Sequence, residues 1–208
     1  MTVASREQQK EQPREPQAVP HTHRHRLLEG MAHAVAIKGY AATTIADIVR
    51  EAAVSRRTFY EYFSTKGDCL IALYTAASHN ALDVLRNAID PSHDWHEQVE
   101  IAMKAYFDCL AQNPVLMRTL FIEILGLGPD GLAARRRVNE EIADFMLKVI
   151  NAHASAPQRR EPLSAEMAMA VVGGINELIL QAIEQDRVAD LRKLTASAIQ
   201  LINAVTRE

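Results

Sequence analysis

From residue 24 onward the apolar positions recur at spacings of three and four, the period of helices buried along one face. Leu28, Met31, Ala32 and Val35 share a face of a first segment, 25–38, which Gly39 ends. Ile45, Ile48, Val49 and Ala52 mark a second, opened by Thr44 with Asp47 three residues on: a capping box with Asp in place of Glu. Ser55 starts a third, in which Phe59 and Phe63 lie four apart and bury together. Ser64 or Thr65 caps a fourth, with a stripe of Leu70, Tyr74, Ala77, Ala81, Val84, Leu85 and Ala88, stopped by Asp90-Pro91.

A fifth segment, 92–111, carries Trp95, Val99, Ala102, Met103, Tyr106, Phe107 and Leu110 on one side. Asn113-Pro114 caps a sixth, 115–125, apolar nearly all round apart from Arg118, Thr119 and Glu123, which predicts burial on several sides. Residues 126–131 read as a loop. A seventh helix carries Val138, Ile142, Phe145, Met146, Val149 and Ile150, and 154–162 is a polar loop. An eighth, from Ser164, buries Met167, Val171, Val172, Ile175, Leu178, Ile179 and Ile183; a ninth, from Val188, buries Leu191, Leu194, Ala198, Leu201, Ile202 and Val205. No segment alternates at period two and no repeat is visible. The reading is all-α, with about nine helices.

Residues 1–23 form an expected disordered tail, rich in Gln, Glu and Arg with three prolines. His21, His23 and His25 alternate with Arg24 and Arg26, a pattern suited to a strand-borne metal site; the helical pattern that follows favours a flexible arm instead. The net charge of −3 hides an asymmetry: residues 1–66 carry 10 Lys/Arg against 7 Asp/Glu, and the remainder 13 against 19. The basic excess therefore sits with the first three helices. No apolar run approaches the roughly 18 residues of a membrane span, and no apolar core of a signal peptide is present. Cys69 and Cys109 are isolated, as buried free thiols of a cytoplasmic protein would be.

The run from Thr43 to Phe63 carries the chemistry. Two short helices joined by a tight turn form a helix-turn-helix, whose second helix enters the DNA major groove by its first residues. With Phe59 and Phe63 turned inward, Arg56, Arg57, Tyr60 and Tyr62 point outward. Arginine takes the O6/N7 edge of guanine in a two-pronged bond; Thr and Tyr hydroxyls suit phosphate oxygens, which position the protein without reading sequence.

These residues are similar to the DNA-binding domain of TetR-family transcriptional repressors, over about 24–74. The matching pieces are Gly39-Tyr40, Thr43-Thr44, Ile45 to Ile48, Val54-Ser55, Thr58, Tyr60, Tyr62-Phe63 and Lys66. The resemblance implies that Thr44, Thr58, Tyr60, Tyr62 and Lys66 sit near DNA, joining Ser55, Arg56 and Arg57. Two positions depart from the pattern: Ala53 stands where the turn usually has Gly, and Gly67 where an acidic residue often follows the Lys. The expected division is a tail (1–23), a DNA-binding domain (24–84) and an effector-binding and dimerisation domain (85–208).

In the second domain the resemblance implies pairing of the last two helices with those of another subunit. Gly173-Gly174 within an apolar helix suits such a close approach, and the expected contacts are Val171, Gly174, Ile175, Leu178, Leu194 and Leu201. A two-fold homodimer demands a palindromic operator in double-stranded DNA. The resemblance also implies an effector pocket enclosed by helices four to seven, with Trp95, Met103, Tyr106, Phe107, Met117, Phe121, Leu125 and Phe145 as candidate linings and Met146 beside them. Such Met-rich aromatic walls suit an apolar or amphipathic small molecule, though stripes at this spacing also serve as plain core. Arg135-Arg136-Arg137 can recruit an anionic ligand such as a carboxylate or coenzyme A ester, or be simply solvated. An enzyme is the competing class, and the sequence offers no nucleophile with a base, phosphate loop or metal-spaced cluster. The expectation is no catalysis, no cofactor and no metal. The other alternative is a helical interaction or small-molecule-binding module that never touches DNA.

Overall fold

The computed structural model describes residues 23–153 and 162–206. These form α1 (His23–Ala42), α2 (Ile45–Glu51), α3 (Arg56–Tyr62), α4 (Lys66–Ala88), α5 (Trp95–Ala111), α6 (Pro114–Arg118), α7 (Gly128–His153), α8 (Ala165–Glu184) and α9 (Thr195–Thr206). The expected tail, apart from His23, and most of the 154–162 loop lie outside the described residues. His23 and His25 belong to the first turn of α1, where His25 pairs with Glu29 at 3.3 Å. No strand occurs among the described residues.

Local chemistry sets most helix starts. Thr44 and Asp47 cap each other across α2, Thr65 and Asp68 do the same for α4, and Asn113 accepts from the Leu116 N–H to open α6. α1 is kinked at Gly39, whose φ of 75° breaks the helical path before the last residues to Ala42. Gly30 lets α1 and α2 touch: a Cβ there would lie 2.6 Å from the Ile48 carbonyl oxygen and 2.9 Å from the Ala52 Cβ. The first three helices enclose Leu27, Met31, Val35, Ile48 and Phe59, and the same core continues without interruption to Ile202. α4 is one helix from Lys66 to Ala88, so the division expected at 84/85 falls inside it.

Asp47 is the electrostatic centre of this first unit. Its carboxylate receives Lys38 Nζ at 2.5 Å, Arg50 Nη1 at 3.1 Å, and the Thr44 hydroxyl and N–H at 2.6 and 2.9 Å. The bond from Lys38, then those from Thr44, hold its carboxyl far below the usual range. The folded state thus binds this proton less tightly than the unfolded chain, and Asp47 stabilises the fold above about pH 4. Asp47→Asn is expected to lower the melting temperature at neutral pH. The gap to wild type should narrow as the pH falls below about 4, which thermal melts across pH will read.

The second half departs from the sequence reading in four places. Residues 115–125 are not one helix: α6 gives way to a π-helical turn, Thr119–Glu123, and a 3₁₀ turn, Leu125–Leu127. The Thr119 hydroxyl bonds back to the Val115 carbonyl, which loosens regular helix here. The loop expected at 126–131 is absent, because α7 begins at Gly128. Gly131 lies so close beneath Ile124 that a Cβ would fall 2.0 Å from its carbonyl oxygen, which folds the two segments tightly together. The ninth helix starts as a 3₁₀ stretch, Val188–Leu194, before α9.

The fourth difference is the orientation of α8. Met167, expected inside, is exposed, while Ala168, Val171, Val172, Ile175, Asn176, Ile179 and Ile183 form the buried face. α8 is long and apolar enough to cross a membrane by length and composition, contrary to the sequence reading, but this face packs into the protein core. Cys69 is fully buried and burial pushes its thiol up to about 12; Cys109 is only half-buried.

Candidate nucleic-acid interface and effector cavities

Ser55 opens α3 by accepting the Thr58 N–H at 3.0 Å, and the two hydroxyls lie 2.9 Å apart. Phe59 anchors the inner side, fully buried, with its ring 5.7 Å from that of Phe63. The outer side is left to Arg56, Arg57, Tyr60 and Tyr62. Arg57 is 91 % exposed and pairs with Glu61 at 3.4 Å; Tyr60 and Tyr62 are 54 % and 44 % exposed. All four side chains are exposed. Thr44, Ser55 and Thr58 have their hydroxyls engaged in helix caps.

Lys66 is engaged within the protein. Its ammonium donates to the Tyr40 and Thr43 carbonyls, both at 2.9 Å, and sits 4.1 Å over the Tyr40 ring. Three donors spent on protein carbonyls and a π-face leave this side chain tying α4 to the end of α1. The turn before α3 has a second brace that the sequence reading missed. Ala53 adopts φ 50°, a left-handed conformation costing about 1 kcal/mol without glycine. Arg26 Nη2 donates to its carbonyl at 2.6 Å. The partners are 27 residues apart, so no local pattern announces them.

Two cavities occupy the second half. The larger, about 70 Å³, is lined by Leu85, Trp95, Met103, Tyr106, Phe145 and Met146, together with parts of α8 and α9. The smaller, about 50 Å³, is walled by Tyr74, Ser78, Met117, Phe121, Arg135 and Asn139 among others. Tyr106, Ile142 and Asn176 belong to both walls, so the two adjoin. The expected lining therefore divides: Trp95, Met103, Tyr106 and Phe145 face the larger space, Met117 and Phe121 the smaller. Phe107 and Leu125 reach neither; Phe107 is fully buried core. Asn176, missed among apolar neighbours, donates to Asn139 at 3.0 Å.

The expected dimer contacts divide as well. Val171 and Ile175 are buried within the chain and have no surface to give another subunit. Gly174, Leu178, Leu194 and Leu201 remain half-buried. Along α8, Met167, Ala170, Gly174, Leu178 and Gln181 share the side opposite the core, since their spacing returns to one face.

The sequence profile of the bacterial regulatory proteins of the tetR family matches residues 28–73. A fatty acid metabolism regulator protein of Bacillus subtilis is 22 % identical over 180 residues, covering 85 % of this chain and 91 % of that protein. The fold is similar to that of a transcriptional regulator, FadR, from Bacillus subtilis in complex with stearoyl-CoA (TM-score 0.72, 18 % identity, 85 % of this chain and 96 % of that one). It is also similar to the fatty acid degradation regulator FadR from Bacillus halodurans (TM-score 0.75, 19 % identity, 93 % and 100 %). The matched stretch, residues 28–73, carries the helix-turn-helix and is similar to the DNA-binding domain of tetR-family regulators, and the whole chain follows the all-helical plan of these solved structures.

Proposed function

We propose that the protein is a cytoplasmic homodimeric repressor that holds a palindromic operator through α3 of each subunit and releases it when an apolar or amphipathic molecule fills the cavities. The observation that carries this is the open face of α3. A capped helix start presents two arginines and two tyrosines outward, anchored behind by Phe59 and Phe63. A helical interaction module has no need to expose that set together. Within it, Arg56 and Arg57 reach bases, Tyr60 and Tyr62 reach phosphates, and Thr44, Ser55 and Thr58 fix the helices at the backbone. No catalytic step enters this reading.

The ligand part rests on α4. Tyr74, Ala77, Ser78 and Ala81 line the smaller cavity and Leu85 the larger, while Lys66 at the other end grips the link between α1 and α2. A ligand that moves the far end of this helix swings α3 in each subunit and changes the separation of the two. The stearoyl-CoA carried by the Bacillus subtilis FadR supports an amphipathic class of ligand. Coupling is reciprocal, so such a ligand binds the DNA-free protein more tightly, typically by about 1–3 kcal/mol or a factor of roughly 5–150.

The test is selection of genomic fragments by the purified protein, sequencing of the retained DNA, and titration of that operator with candidate ligands. Retention of a palindromic site that ligand weakens by such a factor is the expected result. No retardation of any fragment at low salt overturns the DNA-binding part. A ligand that binds but leaves operator affinity unchanged overturns the release mechanism.

A further inference from the structure

The two cavities differ in chemistry. The walls of the larger are apolar except at Tyr106 and Asn176, which it shares with the smaller. The smaller adds Tyr74, Ser78, Arg135 and Asn139. Two of these polar groups lack what folding normally supplies. Arg135 is half-buried, and no carboxylate among the described residues lies within ion-pair distance of it. Tyr106 is only 7 % exposed, yet its hydroxyl makes no hydrogen bond to another described residue. Burial also pushes its phenol above the ordinary value, keeping it a neutral donor. Of the other polar groups, Asn176 bonds Asn139. A hydroxyl on a buried tyrosine and a half-buried cation, neither with a partner among the described residues and both in the wall of one cavity, call for an acceptor that is itself negative.

We infer that the effector is an amphipathic monocarboxylic acid, its carboxylate held by Arg135 and the Tyr106 hydroxyl and its alkyl chain lying in the larger cavity. This deepens the ligand-released reading above and rests on it. The planar guanidinium matches a carboxylate with two parallel bonds, and Tyr106, at the junction, donates a third. The chain then runs from the junction towards Trp95, Phe145 and Met146. A coenzyme A thioester has no carboxylate at the head of its acyl chain, and its phosphates sit beyond a long polar arm. It therefore leaves Arg135 unanswered.

The single tryptophan, Trp95, lines the larger cavity and reports filling of that space whatever the head group. Laurate, methyl laurate and lauroyl-CoA are titrated into the full-length protein and into Arg135→Gln, Arg135→Lys and Tyr106→Phe, with far-UV circular dichroism to check each fold. Laurate should bind wild type about 10- to 100-fold more tightly than its methyl ester. Arg135→Gln should abolish that preference, weakening laurate by a similar factor and leaving the ester within about twofold. Arg135→Lys should keep part of it, and Tyr106→Phe should lose a smaller part. Equal binding of acid and ester, or lauroyl-CoA binding more tightly than laurate, overturns the carboxylate assignment and leaves the ligand-binding reading standing. Failure of all three to bind overturns both.

Discussion

Arg57→Ala is expected to weaken binding to the selected operator by about 1–3 kcal/mol and to relax the choice of base at one position of each half-site. The side chain is nearly free in the protein: its pair with Glu61 is long and exposed on both sides, so little stability is lost with it. Arg56→Ala should behave alike where that residue reads a base. Tyr60→Phe should instead weaken all sequences alike, since a lost phosphate contact carries no sequence information. Quantitative gel shifts against operator variants distinguish the two patterns, and affinity should fall steeply with salt throughout. An Arg57→Ala protein with wild-type affinity and wild-type base preference would remove this side chain from the interface.

Features set by neighbours in the chain were legible in the sequence. The boxes at Thr44 and Asp47 and the cap at Ser55 need only residues three apart, and each forms as the spacing requires. Phe59 and Phe63, four apart, likewise had one way to bury. Contacts across long separations were not legible. Lys66 finds its carbonyls 23 and 26 residues away, and nothing beside it distinguishes a clamp from a phosphate contact. Residues 115–131 read as a helix and a loop because the approach of Gly131 to Ile124 is a tertiary event.

α8 shows a different limit. It is apolar on both sides, so periodicity could not say which side faces the core. Met167, expected to be buried, is exposed for that reason, while Val171, also expected at the dimer contact, is buried within the chain. The cavities show it again: Trp95, Tyr106 and Phe107 share one stripe of α5, yet only the first two reach open space. Neighbouring positions on a buried stripe differ by what stands opposite, which one sequence does not contain.

The outward side of α8 supplies the second large effect, resting on the proposed homodimer. Ala170 is exposed on the same side as Met167, Gly174 and Leu178, and its replacement costs the single chain little. In a two-fold interface every substituted position occurs twice. A carboxylate forced into an apolar contact costs on the order of 2 kcal/mol or more per copy, so Ala170→Glu should weaken the dimer by about 4 kcal/mol, near a thousandfold in Kd. Sedimentation velocity should show wild type as a dimer and the variant as a well-folded monomer at micromolar concentration. The operator should follow, because a monomer brings one α3 to one half-site where the dimer brings two. Gly174→Ala separates this from internal repacking: its Cβ would meet the Leu201 side chain of the same chain at 3.3 Å, a contact that side chain can yield. An Ala170→Glu protein that still sediments as a dimer would move the interface off α8.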